Sequence, residues 1–196
     1  MVKQERHSVT LPSLEQIEEE RKRWKKKKEQ RRILFSTIGI LTVVAAISVL
    51  VATLFLPVLQ VSGTSMEPTL EDGEILILEK TSEFETGELI GFYYQNKLLL
   101  KRVIGRAGDY IDIDKDGNVY VNGAKLDEPY VNEKALGECD IELPYQIPDG
   151  KVFVMGDHRS TSIDSRSTAI GCVAKEQMVG KVAFRVWPVD RIGFLH

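Results

Sequence analysis

Hydrophobic positions divide the chain into one uninterrupted apolar run and a longer part where short apolar stretches alternate with polar turns. Residues 33–59 contain no charged residue. An α-helix needs about 20 such residues to cross a bilayer. The run lacks the polar stripe of a buried core helix, and it is longer than the roughly 7 to 15 apolar residues of a cleaved secretory signal. We therefore predict a single transmembrane helix over 33–59 that Pro57 ends or kinks.

Charges on either side of this run predict its orientation. Residues 21–32 hold nine Lys or Arg against one Glu, whereas residues 60–70 hold no Lys or Arg. The positive-inside rule then places residues 1–32 in the cytoplasm as a basic tail and residues 60–196 outside the cell membrane. Residues 12–32 form either a charged helix beside anionic membrane lipid or a plain cytoplasmic tail, and the sequence leaves both open.

Short β-type runs fill the part after residue 60. Turn signals separate them, and Asp116-Gly117 and Asn122-Gly123 mark hairpins. The predicted strands lie within residues 74–80, 87–95, 97–105, 110–121, 151–158 and 180–189. This pattern predicts a mainly β protein, an antiparallel sheet or barrel, with a small hairpin insertion over 106–149.

Composition narrows the classes of function. The net charge is −3 over 196 residues, and with the basic block set apart the rest is acidic, so we expect no nucleic-acid partner. The histidines are scattered and Cys139 and Cys172 lack C-x-x-C spacing, so we expect no metal and no cofactor. A disulfide between the two cysteines and two unpaired thiols both stay open, as does the oligomeric state.

Ser65, in "VSGTSMEPTL", is a candidate nucleophile, provided that a nearby base takes its proton. His158 is one candidate, in a Ser-His-Asp hydrolase with Asp157 or Asp164. Lys101 is the other, because strand alternation places it with Leu99 and Val103 on an apolar face, where burial lowers a lysine pKa. The same alternation places Arg102 on the opposite face, within reach of water.

Three segments in this order, "SGTSMEPTL", "KLLLKRVIGRAGD" and "MGDHRSTSIDSR", resemble the type I signal peptidases of the compact Gram-positive type. The resemblance implies a serine endopeptidase in which Ser65 is the nucleophile and Lys101 the general base. It implies cleavage of signal peptides from exported preproteins after small-x-small sites of the Ala-x-Ala kind. An inactive paralogue that only binds exported chains is the alternative, and the presence of both residues counts against it.

The resemblance also implies roles for residues around this pair. Ser162 would orient the lysine amine, Asp164 and Arg166 would form a structural ion pair, and Gly156 and Asp157 would open the same segment. Met66 and Pro68 would shape the serine turn, and substrate would bind as an extended strand beside the residues preceding Ser65 and those around Leu99.

One position departs from part of the family. Some members carry a serine two residues before the nucleophile, and its hydroxyl helps to hold the oxyanion. Here that position is Gly63, which has no hydroxyl. The oxyanion site then rests on the Ser65 backbone N–H, with Thr64 or water as further candidates. His158 stands where some members have Asn, and its role is open.

Overall fold

The computed structural model describes residues 13–195, so the first part of the predicted tail, His7 and His196 lie outside the described residues. Helix α1 spans Leu14–Phe55. Ser13 and Gln16 cap its start, since the Gln16 N–H donates to Ser13 Oγ (3.3 Å) and the Ser13 N–H donates to Gln16 Oε1 (3.0 Å). Since helix α1 includes residues 21–32, the basic block is helical.

Helix α1 is long and apolar enough to cross a membrane, with a mean hydropathy of 2.5 over its most apolar window. Signal sequences near an N-terminus share these properties. The helix ends at Phe55, before the predicted end at residue 59. Pro57 explains the early end because it cannot donate to a helical carbonyl. Residues Val58–Gln60 form a strand instead, with the Leu59 side chain buried.

The chain divides into a helical unit that ends at Val51 and a β-rich unit that begins at Ala52. The twelve strands of the second unit are β1 (Val58–Gln60), β2 (Ile75–Glu79), β3 (Leu89–Tyr94), β4 (Lys97–Arg106), β5 (Tyr110–Ile113), β6 (Val119–Val121), β7 (Ala124–Lys125), β8 (Tyr145–Gln146), β9 (Lys151–Met155), β10 (Val173–Ala174), β11 (Met178–Trp187) and β12 (Gly193–Phe194). Short 3-10 helices cover Lys175–Gln177 and Val189–Arg191.

Eight strands form the main sheet in the order β1-β2-β11-β3-β4-β9-β10, with β12 beside β11. Every pairing in it is antiparallel. The hairpin between β3 and β4 turns at Gln95 and Asn96, which both have positive φ (45° and 62°) as a tight two-residue turn requires. The mainly β, antiparallel class predicted from the sequence is confirmed, and the described residues form an open sheet without barrel closure.

The predicted hairpin insertion is a sheet of its own. Strands β5 to β8 pair in the order β7-β6-β5-β8. Turn signals predict β5 to β7, whereas β8 reaches β5 across a long loop and gives no local signal. Ile111, Ile113 and Val119 pack with Phe153 and Met155 of β9, so this smaller sheet shares a core with the main one.

Candidate active site

Ser65 lies in a turn that follows β1. The Glu67 N–H donates to Thr64 O (3.1 Å), and the Leu70 N–H donates to Met66 O (2.9 Å). Met66 and Leu70 are buried in the core beside Leu59, and this packing fixes the position of the turn. Ser65, which lies between Val61 and Leu70, is half-buried.

Lys101 reaches Ser65 from β4. Its Nζ lies 2.7 Å from Ser65 Oγ, and the residue is only 4% exposed. Burial lowers the pKa of Lys101 from 10.5 to about 8, while the carboxylates of Asp164 and Asp157 oppose this and Arg166 reinforces it. A large part of the amine is therefore neutral in mildly alkaline solution, and a neutral amine in contact with a hydroxyl can accept its proton.

The segment after β9 carries the predicted ion pair. Asp164 accepts two hydrogen bonds from the Arg166 guanidinium, each 2.8 Å long, and one from the Gly156 N–H (2.9 Å). Arg166 also donates to Leu136 O (2.6 Å) in the insertion. Both charged side chains are fully buried. The pair therefore ties this segment to the insertion, next to the serine and the lysine.

Gly156 lies against Ser65 and Ser162. A Cβ added at Gly156 would lie 2.5 Å from Ser65 O and 2.2 Å from Ser162 Oγ, so only glycine fits. The Ser162 hydroxyl is buried and has no hydrogen-bond partner within residues 13–195. The structure thus brings Ser162 to the site, but without a hydrogen bond from its hydroxyl to the Lys101 amine.

The expectation that Arg102 reaches water is wrong. Arg102 is 3% exposed and binds Asp157 through Nε (2.9 Å) and Nη2 (2.6 Å). Its guanidinium also stacks on Tyr130, 3.9 Å from the ring centroid. Both faces of β4 are covered here, because the loop after β9 and the insertion pack on the face that alternation assigned to solvent.

His158 lies beside Ser65, and no carboxylate of residues 13–195 is paired with it. Its Nδ1 is 3.3 Å from Thr64 O, and its backbone N–H donates to Ser65 O (3.1 Å). Asp157 is held by Arg102 and Thr69, and Asp164 by Arg166. Neither of the aspartates proposed for a Ser-His-Asp arrangement is therefore free to orient the imidazole.

The remaining predicted residues lie on the turn around Ser65 and on β4. Gly63 adopts φ +90°, a region that L side chains rarely occupy, and its N–H donates to Asp72 Oδ1 (2.7 Å). Thr64 and Pro68 are exposed on the serine turn. Leu99 is half-buried against a core cluster that contains Phe92 and Val103, separate from the cluster that contains Met66. Within the described residues the Ser65 N–H has no hydrogen-bond partner.

Sequence reasoning missed several buried polar residues around this site. Arg159 forms a buried ion pair with Glu128 of the insertion, and the half-buried Thr69 donates to Asp157 Oδ2 (2.5 Å). Arg159 also donates to Gly156 O (3.1 Å). A buried charge needs a partner, and these partners are distant in sequence. Cys139 and Cys172 are half-buried, unpaired thiols.

Sequence matches to a known family and to known proteins cover most of this chain. The family "Signal peptidase, peptidase S26" matches residues 33–187. Signal peptidase I of Bacillus licheniformis is 36% identical over 181 residues, which cover 85% of this chain and 96% of that protein. Signal peptidase IB of Staphylococcus aureus (strain MRSA252) is 38% identical over 154 residues, covering 68% and 79% respectively. A solved signal peptidase I of Enterococcus faecalis V583 is 25% identical, with a TM-score of 0.42 over 50% of this chain and 96% of that one.

The family match and the two signal peptidase sequences, at this identity and over most of the chain, define the class of protein as a serine peptidase. The chain belongs to the signal peptidase family, peptidase S26.

Proposed function

We propose that this chain is a type I signal peptidase that uses Ser65 and Lys101 as a catalytic dyad. The observation that carries the proposal is the 2.7 Å contact between Lys101 Nζ and Ser65 Oγ, made by an amine whose pKa is lowered to about 8. A serine hydroxyl attacks a carbonyl only when a base removes its proton. No other titratable side chain within the described residues shares a hydrogen bond with Ser65 Oγ.

The reaction follows from this pair. The Ser65 proton passes to Lys101 Nζ as Oγ forms a bond to the scissile carbonyl carbon. The carbon–nitrogen bond then breaks, and the ammonium of Lys101 returns the proton to the leaving amine. The same amine then takes a proton from a water molecule as that water attacks the ester carbon, and the ammonium returns the proton to Ser65 Oγ as the ester bond breaks. The Ser65 N–H, which has no partner among the described residues, is free to stabilise the oxyanion.

Two unpaired strand edges support binding of an extended substrate. β1 is an edge strand of the main sheet. β4 pairs with β3 from Lys97 to Arg102 and with β9 only from Arg102 onward, so residues 97–101 leave one backbone edge without a strand. Leu59 and Leu98 belong to the same apolar cluster, which brings these edges near each other. A substrate strand that binds here would place its scissile bond at Ser65, with small side chains at the first and third positions before the cut.

We further propose that residues within 33–59 anchor the protein in the cell membrane. The part of α1 over residues 33–55 would span it once, with the basic tail of residues 1–32 cytoplasmic and residues 60–196, including the insertion over 106–149, outside. Lys and Arg are concentrated before the apolar run, in residues 21–32, and residues 60–70 after it contain none. This difference in charge supports the orientation. The substrates would be preproteins that carry signal peptides, presented at the outer membrane surface.

The test uses the detergent-solubilised full chain and a model precursor with an Ala-x-Ala site. Ser65→Ala and Lys101→Ala are expected to abolish cleavage. Ser82→Ala and Lys115→Ala are the controls, because both side chains are exposed and neither residue belongs to the proposed substrate edges. Replacing the alanine before the cut by Phe should also prevent cleavage. Retained cleavage by Lys101→Ala would refute the dyad.

A further inference from the structure

His158 contacts both peptide groups of the nucleophile. Its side chain lies against the peptide group that joins Thr64 to Ser65, through Nδ1 and Thr64 O (3.3 Å). Its backbone N–H donates to Ser65 O (3.1 Å), which belongs to the next peptide group. One residue of the segment after β9 therefore holds the backbone of the nucleophile on both sides.

The first of these contacts bears on the oxyanion site. Thr64 O and the Ser65 N–H belong to one planar peptide group, so fixing the carbonyl fixes the direction of the N–H. Thr64 O accepts from the Glu67 N–H (3.1 Å) and lies within hydrogen-bond distance of His158 Nδ1. The Ser65 N–H at the other end has no partner among the described residues. Hydrogen bonds in such a chain polarise one another, so a donor on the carbonyl strengthens the N–H as a donor.

The partner also determines the tautomer of the imidazole. A carbonyl oxygen only accepts, so the contact is a hydrogen bond when Nδ1 carries the proton. A histidine acting as the base toward Ser65 would instead need an unprotonated ring nitrogen at Oγ. That place is taken by Lys101 Nζ at 2.7 Å.

We propose that His158 is a positioning residue for the oxyanion site, and that its Nδ1–H orients and polarises the peptide group whose N–H receives the oxyanion. This inference rests on the proposed function, since it assigns a role within the reaction at Ser65. It also addresses the missing hydroxyl at Gly63. With one donor fewer in that position, the remaining Ser65 N–H carries more of the oxyanion charge, and the hydrogen bond from His158 strengthens that donor.

Two variants of similar size test the role. His158→Asn keeps an N–H donor at nearly the same place as Nδ1, whereas His158→Leu keeps the volume and has no donor. Loss of an entire oxyanion donor lowers kcat by about 10²–10³, and loss of a bond that supports the donor should lower it less. We expect about a tenfold fall in kcat for His158→Leu with KM changed less than about twofold, and kcat within about threefold of wild type for His158→Asn.

A second measurement separates this role from a general structural one. The boron of a peptide boronate bonds to Ser65 Oγ and carries a negatively charged oxygen where the oxyanion forms, whereas the same peptide with a neutral C-terminal carboxamide has no such oxygen. The affinity for the boronate should fall about tenfold in His158→Leu, and the affinity for the carboxamide peptide should stay the same. An equal loss for both ligands, or a tenfold loss in the Asn variant as well, would overturn the proposal.

A third measurement does not require any variant to be active. The ¹⁵N signals of the His158 ring in the wild-type full chain in detergent, assigned by their absence from His158→Asn, should show a proton on Nδ1 in the neutral ring. A proton on Nε2 would overturn the proposal. A loss of activity in His158→Leu as complete as that in Lys101→Ala would make His158 the base. Activity retained by Lys101→Ala would instead refute the dyad, whatever the tautomer.

Discussion

Replacing Lys101 by Met should stabilise the folded protein at pH 7 while abolishing cleavage. Burial lowers the pKa of the Lys101 ammonium from 10.5 to about 8. Each pKa unit corresponds to about 1.36 kcal/mol, so burying the charged lysine costs the folded state about 3 kcal/mol. Methionine has a similar length and no charge, but it forfeits the hydrogen bond to Ser65, worth about 1 kcal/mol. The expected net gain at pH 7 is therefore about 2 kcal/mol.

The pH dependence of this gain has a definite sign. Below pH 8 the lysine is charged in both states, and the folded state bears the full cost of the buried charge. Between about pH 8 and 10.5 the folded lysine is neutral while the unfolded lysine is still charged. The unfolded state then binds more protons, so the stability of wild type rises with pH through this window. The advantage of Lys101→Met should shrink over the same window.

Urea unfolding of the full chain in detergent, at pH 7, 8, 9 and 10, measures this difference. Lys97→Met on the same strand is the control, because Lys97 is exposed and its replacement should change stability by less than about 0.5 kcal/mol. If Lys101→Met is no more stable than wild type at pH 7, the amine is not desolvated as the structure indicates. A stability difference that does not change from pH 7 to 10 would refute the titration argument.

Three further predictions concern activity and packing. For wild type, kcat/KM should rise with pH below about 8 and level off above it, because the proposed base is the neutral form of Lys101; a profile that is flat from pH 6 to 9 would contradict this. Gly156→Ala should abolish cleavage and cost about 1–3 kcal/mol in urea unfolding, since a methyl group would lie 2.5 Å from the carbonyl oxygen of the serine. The control Gly193→Ala has no atom within 4 Å of the added carbon and should be near neutral. Asp157→Ala should cost about 3–5 kcal/mol because Arg102 stays buried without its partner, whereas a cost below about 1 kcal/mol would mean that water reaches Arg102.

Local patterns predicted much of the β-rich unit and the apolar face around Lys101. An alternation with period two assigns successive side chains of β4 to opposite faces, and Lys101 is buried as that pattern predicts. The same alternation was wrong about Arg102, because it tells which face a residue is on and not what covers that face. Asp157, which covers Arg102, is 55 residues away in sequence.

The strand over Val58–Gln60 and the tight space at Gly156 were not predicted, for related reasons. Apolar composition continues through residue 59, yet Leu59 is apolar because it joins the sheet core and not because it extends the helix. The tight space at Gly156 depends on atoms of Ser65 and Ser162 that only the folded chain brings there. Composition and period describe single segments, whereas these features belong to contacts between segments.

Contacts between segments also explain why the short hydrogen bond between Lys101 and Ser65 is surrounded by buried ion pairs. Arg102 with Asp157, and Arg166 with Asp164, lie on segments that carry or flank Lys101 and His158. Buried ion pairs add little net stability compared with apolar residues of the same size, but breaking one is costly. Their effect is therefore to penalise displacement of β4 or the segment after β9, and each displacement would lengthen the contact between Lys101 and Ser65. The Lys101 amine would be more stable in water than in this buried position. By holding the surrounding segments in place, the ion pairs keep it in contact with the Ser65 hydroxyl.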